Sequence, residues 1–400
     1  MHRKIGIWIL LLALTVSACA PTAAPTATPT AAPPAAAPTS VPPTIAPTAV
    51  PMATPMTSVM PTPPASPLTS PLATPSTART LTMLSHESFA ISDAVLQKFE
   101  ADNNVTVKFI KQGDAGQALT RAILTKDNPE ADVLFGVDNT FLGRALDASI
   151  LDPYKPVALA NIPATFQLDP SSRLIPIDYG DVCMNFDKAY FAQKKLAVPQ
   201  SLSDLTKPEY KNLLVVEDPA ASSPGLAFML VTVSAFGETG WLKFWQQLKA
   251  NGVKVVEDWN TAYYTDFSGS SGKGSRPIVV SYASSPPAEV VFANPPINEP
   301  PIGTIVAPKS CFRQIEFAGI LKGTQNRDLA EKWIDFLLSL PYQEDIPLQQ
   351  YVYPVNPQAK LPDVFVKWSS VPDQPATLAP DVIAKNRDQW IEQWTNTVLK

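Results

Sequence analysis

Between Leu81 and Asp138 the hydrophobic period switches repeatedly between two and 3.6, and this restricts the possible folds more than any other feature. "RTLTMLSHESF" reads as a strand ending in a polar turn. "SDAVLQKFEADNN" reads as a helix with Ala94, Val95 and Phe99 on one face and Asn103-Asn104 as its stop. "VTVKFIKQG" alternates Val105, Val107 and Phe109 as a strand does, "GQALTRAILTKDN" is helical again, and "ADVLFGVD" is a continuous apolar run. Strand, helix, strand, helix, strand predicts an α/β sheet with parallel pairs. In such sheets ligands bind beyond the carboxyl ends of the strands.

The second half repeats that grammar. "NLLVVEDPAASSPGLAFMLVTVSAFG" gives a strand, a polar loop and an apolar helix opened by Ser223-Pro224-Gly225. "WLKFWQQLKANGVKVVEDW" gives a helix and a strand, and "RPIVVSYASSPPAEVV" a further strand. "DLAEKWIDFLLSLPYQEDI" predicts an amphipathic helix pair broken at Pro341, and the last segment predicts another amphipathic helix. Trp333, Phe336, Trp390 and Trp394 recur at helical spacing and are expected to pack in the core.

The amino-terminal fifth of the chain follows other rules. Arg3 and Lys4 precede an apolar stretch from Ile5 to Val16, too short to span a membrane as a helix and arranged as a secretory leader. Val16-Ser17-Ala18-Cys19 resembles the lipobox of bacterial lipoproteins, in which the cysteine carries the lipid. Residues 1–18 are therefore read as a signal peptide and Cys19 as a membrane anchor. From Ala20 to Ala78 no residue is charged and proline recurs among Thr, Ala and Ser. Such a tract has too little apolar surface to offset ordering entropy, so residues 19–78 are expected to be a disordered, extended tether.

Residues 79–400 remain for folding, a length that predicts two lobes: the first over about 79–178 plus part of the C-terminal segment, the second over about 179–310. The net charge of −5 without basic runs argues against nucleic acid as a partner. Cys183 and Cys311 are the two cysteines left after Cys19, and outside the membrane they read as one disulfide. His86 is the one histidine beyond the leader, which disfavours His-based hydrolysis and a His-rich zinc site.

Aromatic and acidic residues interleave at the strand ends: Asp138, Asp178-Tyr179, Asp258-Trp259, Tyr263-Tyr264, Ser281-Tyr282 and Tyr351. Aromatic faces attract an organic cation by about 0.5–2 kcal/mol per contact, and a carboxylate orients it. Ser223 and Gly225, opening a helix, offer a hydroxyl and free backbone N–H groups to a polar tail.

In order, "MLSHESF", "FIKQGD", "ADVLFGVDN", "IPIDYGDVCMNFDK", "EDPAASSPGLAFML", "VEDWNTAYY", "VVSYASSPPAEV" and "YVYPVN" resemble the solute-binding proteins of bacterial thiamine ABC importers, over about Leu81 to Trp394. The resemblance implies a two-lobed periplasmic-binding-protein fold, type II-like, hinged around an interlobe ligand cleft. It implies a non-catalytic, monomeric receptor without cofactor or resident metal, delivering thiamine or a thiamine phosphate to a permease and an ATPase. Trp259 matches a tryptophan facing the ligand, Tyr282 and Ser223 match residues near its phosphate or hydroxyethyl end, and Asp138 matches an acid in a first-lobe loop. Three positions depart from the family: His86 replaces a tyrosine, Tyr351 a tryptophan and Ala288 an aromatic residue. The disulfide is also outside its pattern. Two other cargoes are compatible with these residues: a polyamine or other organic cation, and ferric ion held by Tyr263 and Tyr264 with His86 and Asp138.

Overall fold

The computed structural model describes residues 78–270 and 273–400; the leader, Cys19 and the Pro-rich tract up to Thr77 lie outside the described residues. β1 (Arg79–Ser85) pairs in parallel along its full length with β2 (Val105–Lys111), and α1 (Asp93–Asn103) makes the crossover. α1 stops where Asn104 adopts φ 48°, a left-handed conformation that asparagine tolerates. α2 (Ala115–Leu124) opens on a reciprocal capping box between Asp114 and Gln117 and leads to β3 (Val133–Asp138). β3 is buried throughout and parallel to β1, so the expected β-α-β-α-β unit is present. α3 (Leu142–Asp147) and the short β4 (Leu151–Asp152) follow.

β5 (Ile175–Asp187) leaves this half of the sheet for the other. The second half contains α4 (Lys188–Lys194), β6 (Leu214–Glu217), α5 (Ser223–Ala250), β7 (Lys254–Val256), β8 (Ile278–Tyr282), α6 (Pro286–Val291) and β9 (Ile302–Ile305). β6 pairs in parallel with β7 and β8, while β8 and β9 run antiparallel to β5. α5 takes up both helices expected between Ser223 and Ala250, joined at Gly237 with φ 68° and ψ 177°. That backbone suits glycine alone, which explains why the chain turns there without ending the element. α5 is long and apolar enough to cross a membrane, but Leu226, Phe228 and Leu230 are buried in the core.

β10 (Phe312–Leu321) then returns antiparallel between β3 and β5, giving the order β2-β1-β3-β10-β5-β8-β6-β7. The sheet is therefore mixed rather than purely parallel. β5 pairs with β10 over Ile175–Val182 and with β8 over Val182–Phe186, so these long strands connect the two lobes. Cys183 and Cys311 join at this crossing as a disulfide, both fully buried.

α7 (Arg327–Leu337) and α8 (Leu340–Gln349) are the expected helix pair, but the break falls at Leu338-Ser339. Pro341 lies inside the first turn of α8, where its missing N–H has no partner to lose. β11 (Tyr353–Pro354) pairs with β5, α9 (Asp363–Trp368) packs on α6, and α10 (Pro380–Val398) packs on both α3 and α5. Trp333, Trp390 and Trp394 are core residues, as their spacing predicts, and Phe336 is half-buried against Phe99 and Trp333. Trp394 meets Trp245 of α5 edge to face at 5.4 Å.

Candidate ligand-binding cleft

A cavity of about 270 Å³ lies where the loops after β1, β2, β7 and β8 converge with β10 and the end of α8. Trp259 is among its lining residues. Its main-chain N–H donates to Asp114 Oδ2 at 3.1 Å and its indole Nε1 to Ser281 Oγ at 2.9 Å. Its ring stacks on Tyr263 (4.9 Å between centroids, 19°) and meets Tyr264 edge-on at 5.5 Å. Both tyrosines stand on a π-helical turn, Thr261–Asp266, whose widened spacing sets their rings nearly perpendicular. Tyr263 donates its hydroxyl to Glu289 at 2.8 Å, and burial, then Glu289, push its phenol far above the ordinary range.

His86, Ser223, Tyr282 and Tyr351 also line the cavity. Ser223 Oγ is buried in the lining and faces the Asp138 carboxylate, whose ionised form it favours. Tyr282 donates its hydroxyl to Gln314 Oε1 at 2.9 Å, and Gln314 Nε2 donates to Asp138 Oδ2 at 2.8 Å. Tyr351 leans on Phe292 at 5.5 Å near the mouth.

Four expected residues do not line the cavity. Asp138 is fully buried and accepts the Thr140 N–H at 2.6 Å, so it meets the cleft through its partners, Gln314 and Ser223, rather than directly. Asp178 is buried behind Glu316. Tyr179, one residue on and so on the opposite face of β5, stacks between Phe166 and Tyr353 under the Arg313 guanidinium. Gly225 packs α5 onto β6, where an added Cβ would lie 2.5 Å from the Glu217 carbonyl oxygen.

Sequence reasoning missed Asp114, Gln314, Glu316 and Phe292, all in the lining. Gln314 and Glu316 left a signal: two polar residues two apart on a strand whose other face, Ile315 and Phe317, is apolar. Glu316 Oε1 lies 3.2 Å from His86 Nε2, though not in hydrogen-bond alignment. Burial raises the Glu316 carboxyl to about 8, with Asp138 adding to it, while burial lowers His86. Among the described residues no Lys or Arg lines the cavity. The site is an apolar, aromatic chamber with acidic walls, an arrangement that attracts organic cations.

The family described as bacterial extracellular solute-binding protein matches residues 128–371. The chain belongs to that family. The same solute-binding chain is similar to the thiamine-binding periplasmic protein of Salmonella typhimurium, 29% identical over 331 residues, covering 80% of this chain and 94% of that one. Among solved structures it is similar to a periplasmic thiamin binding protein, with a TM-score of 0.70 at 25% identity over 80% of this chain and 96% of the other. A ferric binding protein from Campylobacter jejuni shares the fold (TM-score 0.62, 16% identity, 79% and 99% coverage). The two-lobed architecture expected from the sequence is the one these receptors have, and the family places this solute-binding protein outside the cytoplasm.

Proposed function

We propose that this solute-binding protein captures thiamine or a thiamine phosphate in the cleft around Trp259 and hands it to the permease and ATPase subunits of an ABC importer. The observation that carries this reading is Trp259 and Tyr263 stacked in a cavity walled by Asp114 and Glu316. A thiazolium cation is drawn to such faces and acids, and relatives named for thiamine binding support it. The chain carries out no chemistry in this reading. Closure of the lobes needs only contacts that the ligand makes with both. It works as a monomer held at the membrane by a lipid on Cys19.

A ferric reading draws on the adjacent Tyr263 and Tyr264 in the lining. Against it, the Tyr263 hydroxyl is already committed to Glu289, and burial holds both phenols protonated, whereas iron would need phenolates.

The test is calorimetric titration of the purified protein, freed of endogenous ligand by unfolding and refolding, with thiamine and its mono- and diphosphate. Tight binding of any one supports the reading and fixes the tail preference. Absence of heat with all three, alongside a purple complex with Fe(III), would replace it with the ferric one.

A further inference from the structure

Glu316 occupies the centre of a row of three acids. On β10 it is in register with Asp138 of β3 on one side and with Asp178 of β5 on the other. Directly opposed residues on neighbouring strands project from the same face about 5 Å apart. Asp138 and Asp178 are buried, and the Glu316 side chain is 14% exposed, toward the cavity.

Neighbouring groups do little to neutralise this row. His86 faces Glu316 from the loop after β1, and its own burial, with a contribution from Lys111, keeps it uncharged. Tyr282 of β8 and Tyr342 of α8 face the row as neutral phenols. Asp138 has Gln314, Thr140 and Ser223 as partners and feels Arg387 from α10, while Asp178 shares a hydrogen bond with Glu316, and burial and Glu316 push its carboxyl well above the ordinary range. Asp114, across the cleft, places a further carboxyl at the cavity wall, and burial raises it as well. Three carboxyls at this spacing in a dry site cannot all ionise, so the row must hold a proton. Glu316 is the member that a ligand can touch.

We propose that Glu316 keeps a proton while the receptor is empty and releases it when a cationic ligand seats, so that capture exchanges one proton for one organic cation. The carboxyl O–H bond breaks, the proton passes to a buffer base, and the ligand's charge takes its place beside the carboxylate; no electrons change hands. Cation and proton compete, so affinity rises with pH and levels off above about 8, where Glu316 is already ionised. A neutral isostere of the ligand gains no such exchange, which makes Glu316 the charge-selecting residue of the cleft. This deepens the thiamine reading and rests on the ligand being a cation.

The experiment is calorimetry with thiamine at about pH 7 in two buffers of different ionisation enthalpy, phosphate and Tris. Wild type is expected to release on the order of one proton per ligand. Glu316→Gln is expected to release none and to bind at least about tenfold more weakly at about pH 8. Heats that do not depend on the buffer, or an E316Q variant that still releases a proton, would overturn the proposal. If thiamine does not bind at all, the ligand-free protein decides. A carboxylic-acid C=O infrared band lost between about pH 6 and about pH 9 in wild type and absent in E316Q supports the held proton, and only the thiamine reading falls. Absence of that band in wild type overturns the proposal itself.

Discussion

The main-chain N–H of Trp259 donates to the carboxylate of Asp114 at 3.1 Å, and this bond ties the loop after β7 to the start of α2 across the mouth of the cleft. Two further contacts run beside it. Gln117 Nε2 donates to Glu257 Oε1 at 2.6 Å, and the Gly116 N–H donates to the Ala221 carbonyl at 3.2 Å. These three contacts form a latch between the first turn of α2 and the loops after β6 and β7.

Gly116 permits that latch because an added Cβ would lie 2.6 Å from the Ala221 oxygen, a backbone atom in the other lobe. Gly116→Ala should hold the lobes apart while improving the propensity of α2. Ligand affinity is expected to fall about tenfold, or ~1.4 kcal/mol, with the melting temperature of the ligand-free protein unchanged or slightly raised. Calorimetry and thermal unfolding measure the two effects, and undiminished affinity would show that closure does not need this contact.

Removing the Trp259 ring should be more damaging to binding. Trp259→Ala takes away the stacking face and leaves Ser281 without its indole donor. A loss of at least about 2 kcal/mol in binding free energy is expected, as for a buried aromatic anchor. A dissociation constant equal to wild type would remove Trp259 from the site.

Gln314 connects Tyr282 to Asp138, so Gln314→Leu strips a partner from each while preserving volume. The buried Asp138 then loses a donor, at an expected cost of about 1–3 kcal/mol in urea unfolding. Tyr282→Phe, which removes only the hydroxyl, should cost about 0.5–1.5 kcal/mol. Equal denaturation midpoints for wild type and both variants would mean that the connection carries no weight.

The acid row also gives stability a direction with pH. Burial, and then Asp138, raise the Glu316 carboxyl to about 8 from its ordinary value of 4.5. Between these values the folded state holds more protons than the unfolded state. The stabilising contribution is therefore complete below about 4.5 and is lost as pH rises through about 8. Melting temperatures of the ligand-free protein should fall more steeply in wild type than in Glu316→Gln between about pH 6 and about pH 9. Parallel curves would contradict this.

The Cys183–Cys311 bridge closes a separation of 128 residues between two strands that already pair. Replacing both cysteines by alanine should cost about 2–5 kcal/mol in unfolding free energy. Because the bridge lies on the rigid crossing rather than in the cavity lining, ligand affinity should change little, which the same calorimetry would check.

The sequence alone determined the elements with a clean period. β1, α1, β2, α2 and β3 were legible because each buries one face or all of itself against the sheet, which forces apolar residues into a repeat of two or 3.6. The loop aromatics Trp259, Tyr263 and Tyr282 were legible too, since large rings placed after strands have few roles outside a cleft. β5 and β10 were not, because Asp178, Asp181, Gln314 and Glu316 interrupt their apolar pattern at the places where the strands pass the cleft and the hinge. Only the tertiary structure decided which acids work together. Pairing β10 between β3 and β5 sets Asp138, Glu316 and Asp178 side by side although 178 residues separate the first from the second. The pleat turns Tyr179 away while it keeps Asp178 in the row. Register is a property of strand partners distant in sequence, so no local pattern in the chain could have shown it.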